Sequence, residues 1–272
     1  MMPSAVALLN PLAARGRAAT LRPSMQAWLA RHAPGVPLLG APTSTEARAL
    51  LSILAPRTRV ALIGGDGTLH AMLPALLKGG LRTGLVAVGR STSVARSLHL
   101  DELDWRQGLL HALHAPTAPV DVGVIETDHT LVHFAGLIRI RATQPMTLWI
   151  DRQPAELDSA VRRLRVCNAQ PMPSEHDPAP RLAPVRITDR MLHLLGDLPG
   201  PVWLHRLGGP EPAPARPLRR VRLECAQPMQ LVIDGEPQEP TRQVHIELLP
   251  GALQMTGSHA VPEAETEILS AA

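Results

Sequence analysis

Gly64-Gly65-Asp66-Gly67-Thr68 is the stretch of this chain best equipped for chemistry. It follows an apolar run, Arg59-Val60-Ala61-Leu62-Ile63, and opens a segment with helical character, so the order is strand, glycine-rich turn and helix N-terminus. Such a junction holds phosphate. Glycines let the backbone take positive φ and come close to a ligand, and the unpaired N–H groups of a helix start carry about half a positive charge. A carboxylate inside an anion-binding loop needs a further reason. Asp66 would repel a bare phosphate, so its expected work is to handle Mg²⁺ or to order the loop around a metal–nucleotide complex. The plainer alternative is a tight strand-to-helix turn with a capping Asp, but a cap needs one Asp or Thr and not three glycines.

Few other residues compete. Cys167 and Cys225 stand far apart with no CxxC, so each is expected as a buried free thiol in a reducing compartment. The 12 histidines show no metal-ligand spacing, and no Ser-His-Asp or Cys-His set suggests itself. Net charge is only +3, and of the 27 basic residues Lys78 alone is a lysine. One Phe, four Trp and no Tyr leave no stacking surface for single strands, so a nucleic-acid partner is not expected. The N-terminus has five apolar residues, Ala5 to Leu9, before Asn10-Pro11, which is too short for a signal peptide, and no later run approaches about 20 apolar residues. A cytoplasmic protein is expected, with peripheral membrane contact left open through Arg139/Arg141, Arg162/Arg163/Arg165 or Arg219/Arg220/Arg222. For each of these clusters a solvated face is the plainer reading.

The elements that must position these residues fall into two textures. At 272 residues, length favours about two domains. Residues 1–118 alternate Ala5–Leu9, Val60–Ile63 and Leu85–Val88 as strands with helices over Arg17–Arg31, Thr45–Leu54 and Leu103–Leu113. That is a doubly wound α/β pattern, whose ligands sit beyond the carboxyl ends of strands, where Asn10–Gly16, Gly64–Thr68 and Gly89–Ser93 fall. Pro74 should kink or shorten the helix after Thr68. Residues 119–272 read as short strands: Val120–Glu126, Thr130–Ile140, Met146–Ile150, Val161–Val166, Met191–Leu195, Val202–Arg206, Val221–Cys225, Leu231–Ile233 and Val244–Leu248. Pro154–Arg163 is the one alternative helix, Pro171–Pro184 and Gly208–Pro217 read as exposed loops, and a predominantly antiparallel β-sandwich or barrel follows.

Asn10-Pro11, the Gly64–Thr68 loop and Asp234-Gly235-Glu236 together resemble the diacylglycerol kinase catalytic-domain family, which also holds bacterial lipid kinases, sphingosine kinases and ceramide kinases. The loop alone is shared with NAD kinases and, more distantly, phosphofructokinases. The run from Gln227 to Pro237, followed by Val244 to Leu253, is similar to the family's closing signature. This resemblance implies an ATP-binding first domain, a β-rich domain that helps bind lipid, and transfer of the γ-phosphoryl group to a hydroxyl of a lipid such as diacylglycerol or a sphingoid base. It implies ATP and Mg²⁺ as cofactors. Asn10, Arg15, Thr43, Gly64, Gly65, Asp66, Gly67, Thr68, Gly89 and Arg90 would then hold nucleotide, with Asp66 and Glu236 catalytic and Glu236 the proton acceptor. Read from its three residues alone, Asp234-Gly235-Glu236 is a hairpin turn with an exposed Glu. Thr45 competes with Thr43, and either is equally a helix cap. The family's metal Asp corresponds to Asp189 in Ile187–Leu195, where an ordinary turn Asp is the alternative.

The chain departs from the family at several contacts. Ala13 and Ala14 stand where the phosphate loop has Ser and Gly, Ala71 replaces a Glu, and Arg90 and Thr92 replace Thr and Asn. Two readings follow: an active kinase in which Arg90 supplies a charge-assisted phosphate contact, or a catalytically impaired member that binds a lipid or partner. A kinase for a soluble acceptor, akin to NAD kinase, is the third.

Overall fold

The computed structural model describes residues 3–88, 93–157, 159, 161–169, 186–197 and 216–257. The chain divides into two compact units. One comprises residues up to Val120 together with those from Ala252, and the other runs from Asp121 to Gly251.

The first unit is built from β1 (Ala5–Leu9), α1 (Arg17–His32), β2 (Leu38–Gly40), α2 (Ser44–Ser52), β3 (Arg59–Gly64), α3 (Asp66–Gly79), β4 (Arg82–Ala87), α4 (Ser93–Ser97) and α5 (Trp105–His114). Its strands lie in the order β2-β1-β3-β4, all parallel. Alternate residues serve opposite faces, as the two-residue period of a strand requires. Ala7, Leu9, Ala61, Ile63 and Val86 pack with α1 and α5, while α3 packs on β3, β4 and α2. Helices therefore cover both faces, as the doubly wound pattern predicts. The last strand, β14 (Glu236–Thr256), brings Gln254 and Met255 back beside Arg82 and Thr83 in parallel register. The expected second segment, 119–272, thus returns its final strand residues to the first unit.

Pro74 lies inside α3 without shortening it, since the helix runs 14 residues to an αL cap at Gly80 (φ 56°). An interior proline costs about 3 kcal/mol. Leu69, Met72, Leu73 and Leu76 are buried from the same helix, and about 1.5–3 kcal/mol for each outweighs that cost.

The second unit holds most of β5 (Thr117–Thr127), then β6 (Leu131–Phe134), β7 (Leu137–Arg141), β8 (Met146–Ile150), β9 (Gln153–Ala155), β10 (Arg163–Cys167), β11 (Leu192–Asp197), β12 (Arg216–Leu218), β13 (Arg220–Ile233) and most of β14. Its order is β12-β11-β10-β7-β13-β14, and its pairings in register are antiparallel. The antiparallel character matches expectation, but the pairing does not resolve into the two separate sheets of a sandwich. Val221–Cys225 of β13 pair with β8, and Gln230–Ile233 of the same strand pair with β7. Register shifts between Glu224 and Leu231 mark the irregularity, and a bulge there bends a strand so that its halves serve different neighbours. One core holds the inward side chains, among them Phe134, Ile138, Ile140, Val166, Leu223, Ile233 and Ile246.

Other departures are local. Thr130–Ile140 is interrupted at Ala135-Gly136, and Val221–Cys225 and Leu231–Ile233 belong to one strand. Pro154 and Ala155 lie in β9 and Arg163 opens β10, so no helix replaces them among the described residues. The sequence pattern passed over β2, a three-residue strand. Val202–Arg206, Pro171–Pro184 and Gly208–Ala215 lie outside the described residues, while Arg216 and Pro217 are in β12. Among the described residues, no helix is long and apolar enough to cross a membrane.

Candidate nucleotide and proton-acceptor sites

Where β1 ends, the Asn10 N–H donates to the Ile63 carbonyl (3.1 Å) and so prolongs the ladder with β3. Its side chain then does two jobs. Nδ2 donates to Thr68 Oγ1 at 2.8 Å, and Oδ1 accepts from the Leu12 N–H at 3.0 Å. One amide thereby latches the loop after β1 to the first turn of α3.

Gly64 is required by close approach, since a Cβ there would collide with the Thr68 side chain. Gly65 is extended (φ −128°) and Gly67 is already helical, so this loop does not use the left-handed backbone expected of its glycines. The loop after β1 does. Ala14 (φ 53°), Arg15 (φ 58°) and Gly16 (φ 86°) are left-handed in succession before α1 begins. The backbone at Ala14 therefore has a conformation that favours glycine, although the side chain is alanine.

The Asp66 carboxylate accepts from the Ser93 N–H (2.5 Å) and the Val94 N–H (3.3 Å), which caps α4. It thus ties α3 to α4. Gly89 and Arg90 precede α4 in the sequence and lie outside the described residues. Thr43 caps α2 through a capping box: its Oγ1 accepts from the Glu46 N–H (3.2 Å), and its own N–H donates to Glu46 Oε2 (3.3 Å). The Thr43 hydroxyl proton remains available to a ligand. Thr45 lies in α2, exposed.

Asn10, Leu12, Thr43, Gly67, Thr68 and Ala71 line a cleft of about 180 Å³. It opens at the carboxyl ends of β1 and β3, beside the starts of α2 and α3. Arg15 is exposed and does not line it. Hydroxyl and amide groups beside two helix N-termini suit the phosphate end of a nucleotide, and the cleft is smaller than a pocket that encloses a whole ligand. No group of three or more His, Cys, Asp or Glu capable of holding a metal occurs among the described residues. Mg²⁺ ordinarily takes one or two carboxylates plus substrate phosphates, so these residues fit an ion carried by the nucleotide better than a dedicated cage.

In the second unit Asp234 (φ 47°) and Gly235 (φ 95°) form a two-residue turn that pairs Ile233 with Glu236. Positive φ at both positions is what a type I′ hairpin demands, and Asp-Gly supplies it. The Asp234 carboxylate accepts from the Ala135, Gly136 and Leu137 N–H groups at 3.0, 3.0 and 2.7 Å, and its own N–H donates to the Leu137 carbonyl (2.9 Å). Glu236 is exposed at the start of β14. Asp189 accepts from the Met191 N–H (2.9 Å) and pairs with His193 Nε2 (2.8 Å). Buried Asp121 lies nearby in the chain of contacts, accepting from the Arg190 N–H (2.7 Å) and the Gly251 N–H (2.8 Å).

Asn10, Thr43, Gly67 and Thr68 therefore come together, with Asp66 behind them. Sequence reasoning missed the partners of Asp234, and it missed Asp121 and Asn168 entirely. The Asp-Gly dipeptide signalled the turn, but nothing local signalled an acceptor for three N–H groups almost 100 residues away.

Residues 4–125 match the family model of the diacylglycerol kinase catalytic domain. No curated protein matches the chain. Crystal structures of diacylglycerol kinases, some so named only as candidates, from Bacillus anthracis str. Sterne share the fold. One superposes with a TM-score of 0.75 at 18% identity, covering 95% of this chain and 98% of the other. Another gives 0.73 at 19% identity, over 96% and 99%. Residues 4–125 are thus similar to the diacylglycerol kinase catalytic domain, and the fold of the whole chain is similar to that of these structures.

Proposed function

We propose that the protein is an ATP-dependent lipid kinase that phosphorylates a hydroxyl of a lipid such as diacylglycerol or a sphingoid base. The observation that carries this reading is the Asn10–Thr68 latch over the cleft beside Asp66, inside the stretch that matches the family. Gly64 to Thr68 face the phosphates, Thr43 and Asn10 contact the nucleotide, and Arg15, Gly89 and Arg90 complete its surroundings. Asp66 acts by holding α4 in place. Asp189 would hold Mg²⁺ together with the nucleotide phosphates, and the ion would supply charge neutralisation for the transferring group.

Glu236 accepts the proton of the lipid hydroxyl as its oxygen bonds to the γ-phosphorus, and the bond to the bridging oxygen breaks to release ADP. Such a base contributes about 10²–10⁴-fold, and the remainder comes from positioning and charge neutralisation. Residues 121–251 supply the lipid-binding surface. The protein works from the cytoplasm.

A binding-only reading has one observation in its favour. The N–H groups of Gly16 and Ala18 donate to carbonyls of Leu12 and Ala13 inside the loop, so they are turned from a phosphate. The readings separate in a thermal unfolding experiment. ATP with Mg²⁺ at a hundredfold excess over its dissociation constant should stabilise a competent site by about 2.7 kcal/mol, whereas no shift at millimolar nucleotide supports the binding-only protein.

A further inference from the structure

Asn168 is the least explained polar residue of the second unit. It is fully buried (0% exposed), and its Oδ1 has no hydrogen-bond partner among the described residues. An unpaired buried acceptor costs about 1–3 kcal/mol, so an amide kept under that penalty calls for a reason. Its donors give one. Nδ2 donates to the Ala135 carbonyl (2.9 Å) and to the Asp121 carbonyl (2.9 Å). The Asn168 and Ala169 N–H groups both donate to the Gly136 carbonyl, at 2.8 and 3.1 Å.

These bonds grip the connector between β6 and β7 through its carbonyls. The Asp234 carboxylate grips the same connector through its N–H groups. Ala135 and Gly136 are thus clamped from both sides, and a Cβ at Gly136 would lie only 2.7 Å from Asp234 Oδ1. Because Asp234 is the first residue of the turn that delivers Glu236, whatever fixes the connector fixes that turn. Hydrogen-bond chains of this kind polarise and rigidify one another in a low-dielectric interior.

We propose that Asn168 is a positioning residue for the Glu236 carboxylate, acting through the Ala135–Leu137 connector and Asp234. This rests on the reading of Glu236 as proton acceptor. The amide places a carboxylate that it does not touch, so its loss should slow the chemical step and spare nucleotide binding.

The test compares the intact wild-type protein with Asn168→Ala by kinetics on ATP and diacylglycerol in mixed micelles, and by amide hydrogen exchange. Misplacing a catalytic group by about 1 Å costs about 10²-fold, so kcat should fall by about that factor while KM for ATP stays within about twofold. Exchange should quicken by about five- to tenfold at Ala135–Leu137 and at Asp234–Glu236. If Asn168→Ala does not fold, Asn168→Ser, which keeps a donor too short to span both carbonyls, carries the same expectation. A lowered Tm with unchanged kcat per folded molecule would overturn the proposal, as would exchange that quickens only around residue 168. An inactive wild type would remove the kinase reading alone, because the exchange pattern still decides whether Asn168 governs the turn.

Discussion

Glu236 and Ala14 mark the extremes of what single residues reveal. Glu236→Gln keeps the shape of the side chain and removes its basicity, so kcat should fall about 10²–10⁴-fold with little change in ATP affinity. Full activity in that variant would remove the assigned base. Ala14 occupies a left-handed position at a cost of about 1–2 kcal/mol, which exceeds the roughly 0.4–1 kcal/mol that glycine loses through the unfolded chain. Ala14→Gly should therefore stabilise the protein by about 0.5–1 kcal/mol in a denaturant titration, and an unchanged midpoint would show that the loop relaxes elsewhere. At this scale the sequence was legible wherever a residue type has one conformational meaning. Asp-Gly meant a turn with positive φ, and Thr before Glu46 meant a cap. It was silent where meaning depends on a distant partner, as with Asp66 on Ser93 or Asn10 on Thr68.

Between elements, these side chains act as ties. Asp66→Ala should loosen α4 by about 0.5–2 kcal/mol, the range for a lost cap, in a denaturant titration, and should abolish phosphate transfer in the kinase assay. Asp128 ties the β5–β6 turn to β14 by accepting from Thr241 Oγ1 (2.7 Å) and Gln243 Nε2 (2.9 Å), and these bonds hold its carboxyl below the usual 3.8. A depressed folded value stabilises the protein above the unfolded value, and the gain is lost as pH falls through the folded one. Thr241→Val should thus be less stable than wild type at neutral pH, with the gap narrowing below about pH 4. A gap that widens in acid would contradict the assignment. Element types were largely legible from periodicity, since α1, α2, α5 and most strands lie where apolar spacing puts them. Pro74 misled because its local penalty is smaller than the burial of the apolar stripe around it, which no local rule weighs. The break at Ala135-Gly136 was hidden because a buried, apolar connector reads like a strand.

Across the whole molecule, residues 4–125 carry the family match, and the fold extends over nearly all of the chain. The doubly wound α/β character was legible from alternating strands and helices, but β2 and the order β2-β1-β3-β4 were not. Nor was the return of Gln254 and Met255 to β4, because the partner of a parallel edge is chosen by tertiary pairing across more than 170 residues and leaves no trace in either strand. The same limit applies to β13, whose two pairing partners depend on a bend rather than on its apolar pattern. The central claim concerns what the assembled molecule does, and transfer of labelled γ-phosphate from ATP with Mg²⁺ into a total lipid extract tests it most directly. The account predicts a labelled lipid with wild type that is nearly absent with Glu236→Gln. Equal labelling by both proteins, or none by wild type that nonetheless binds ATP, would contradict it.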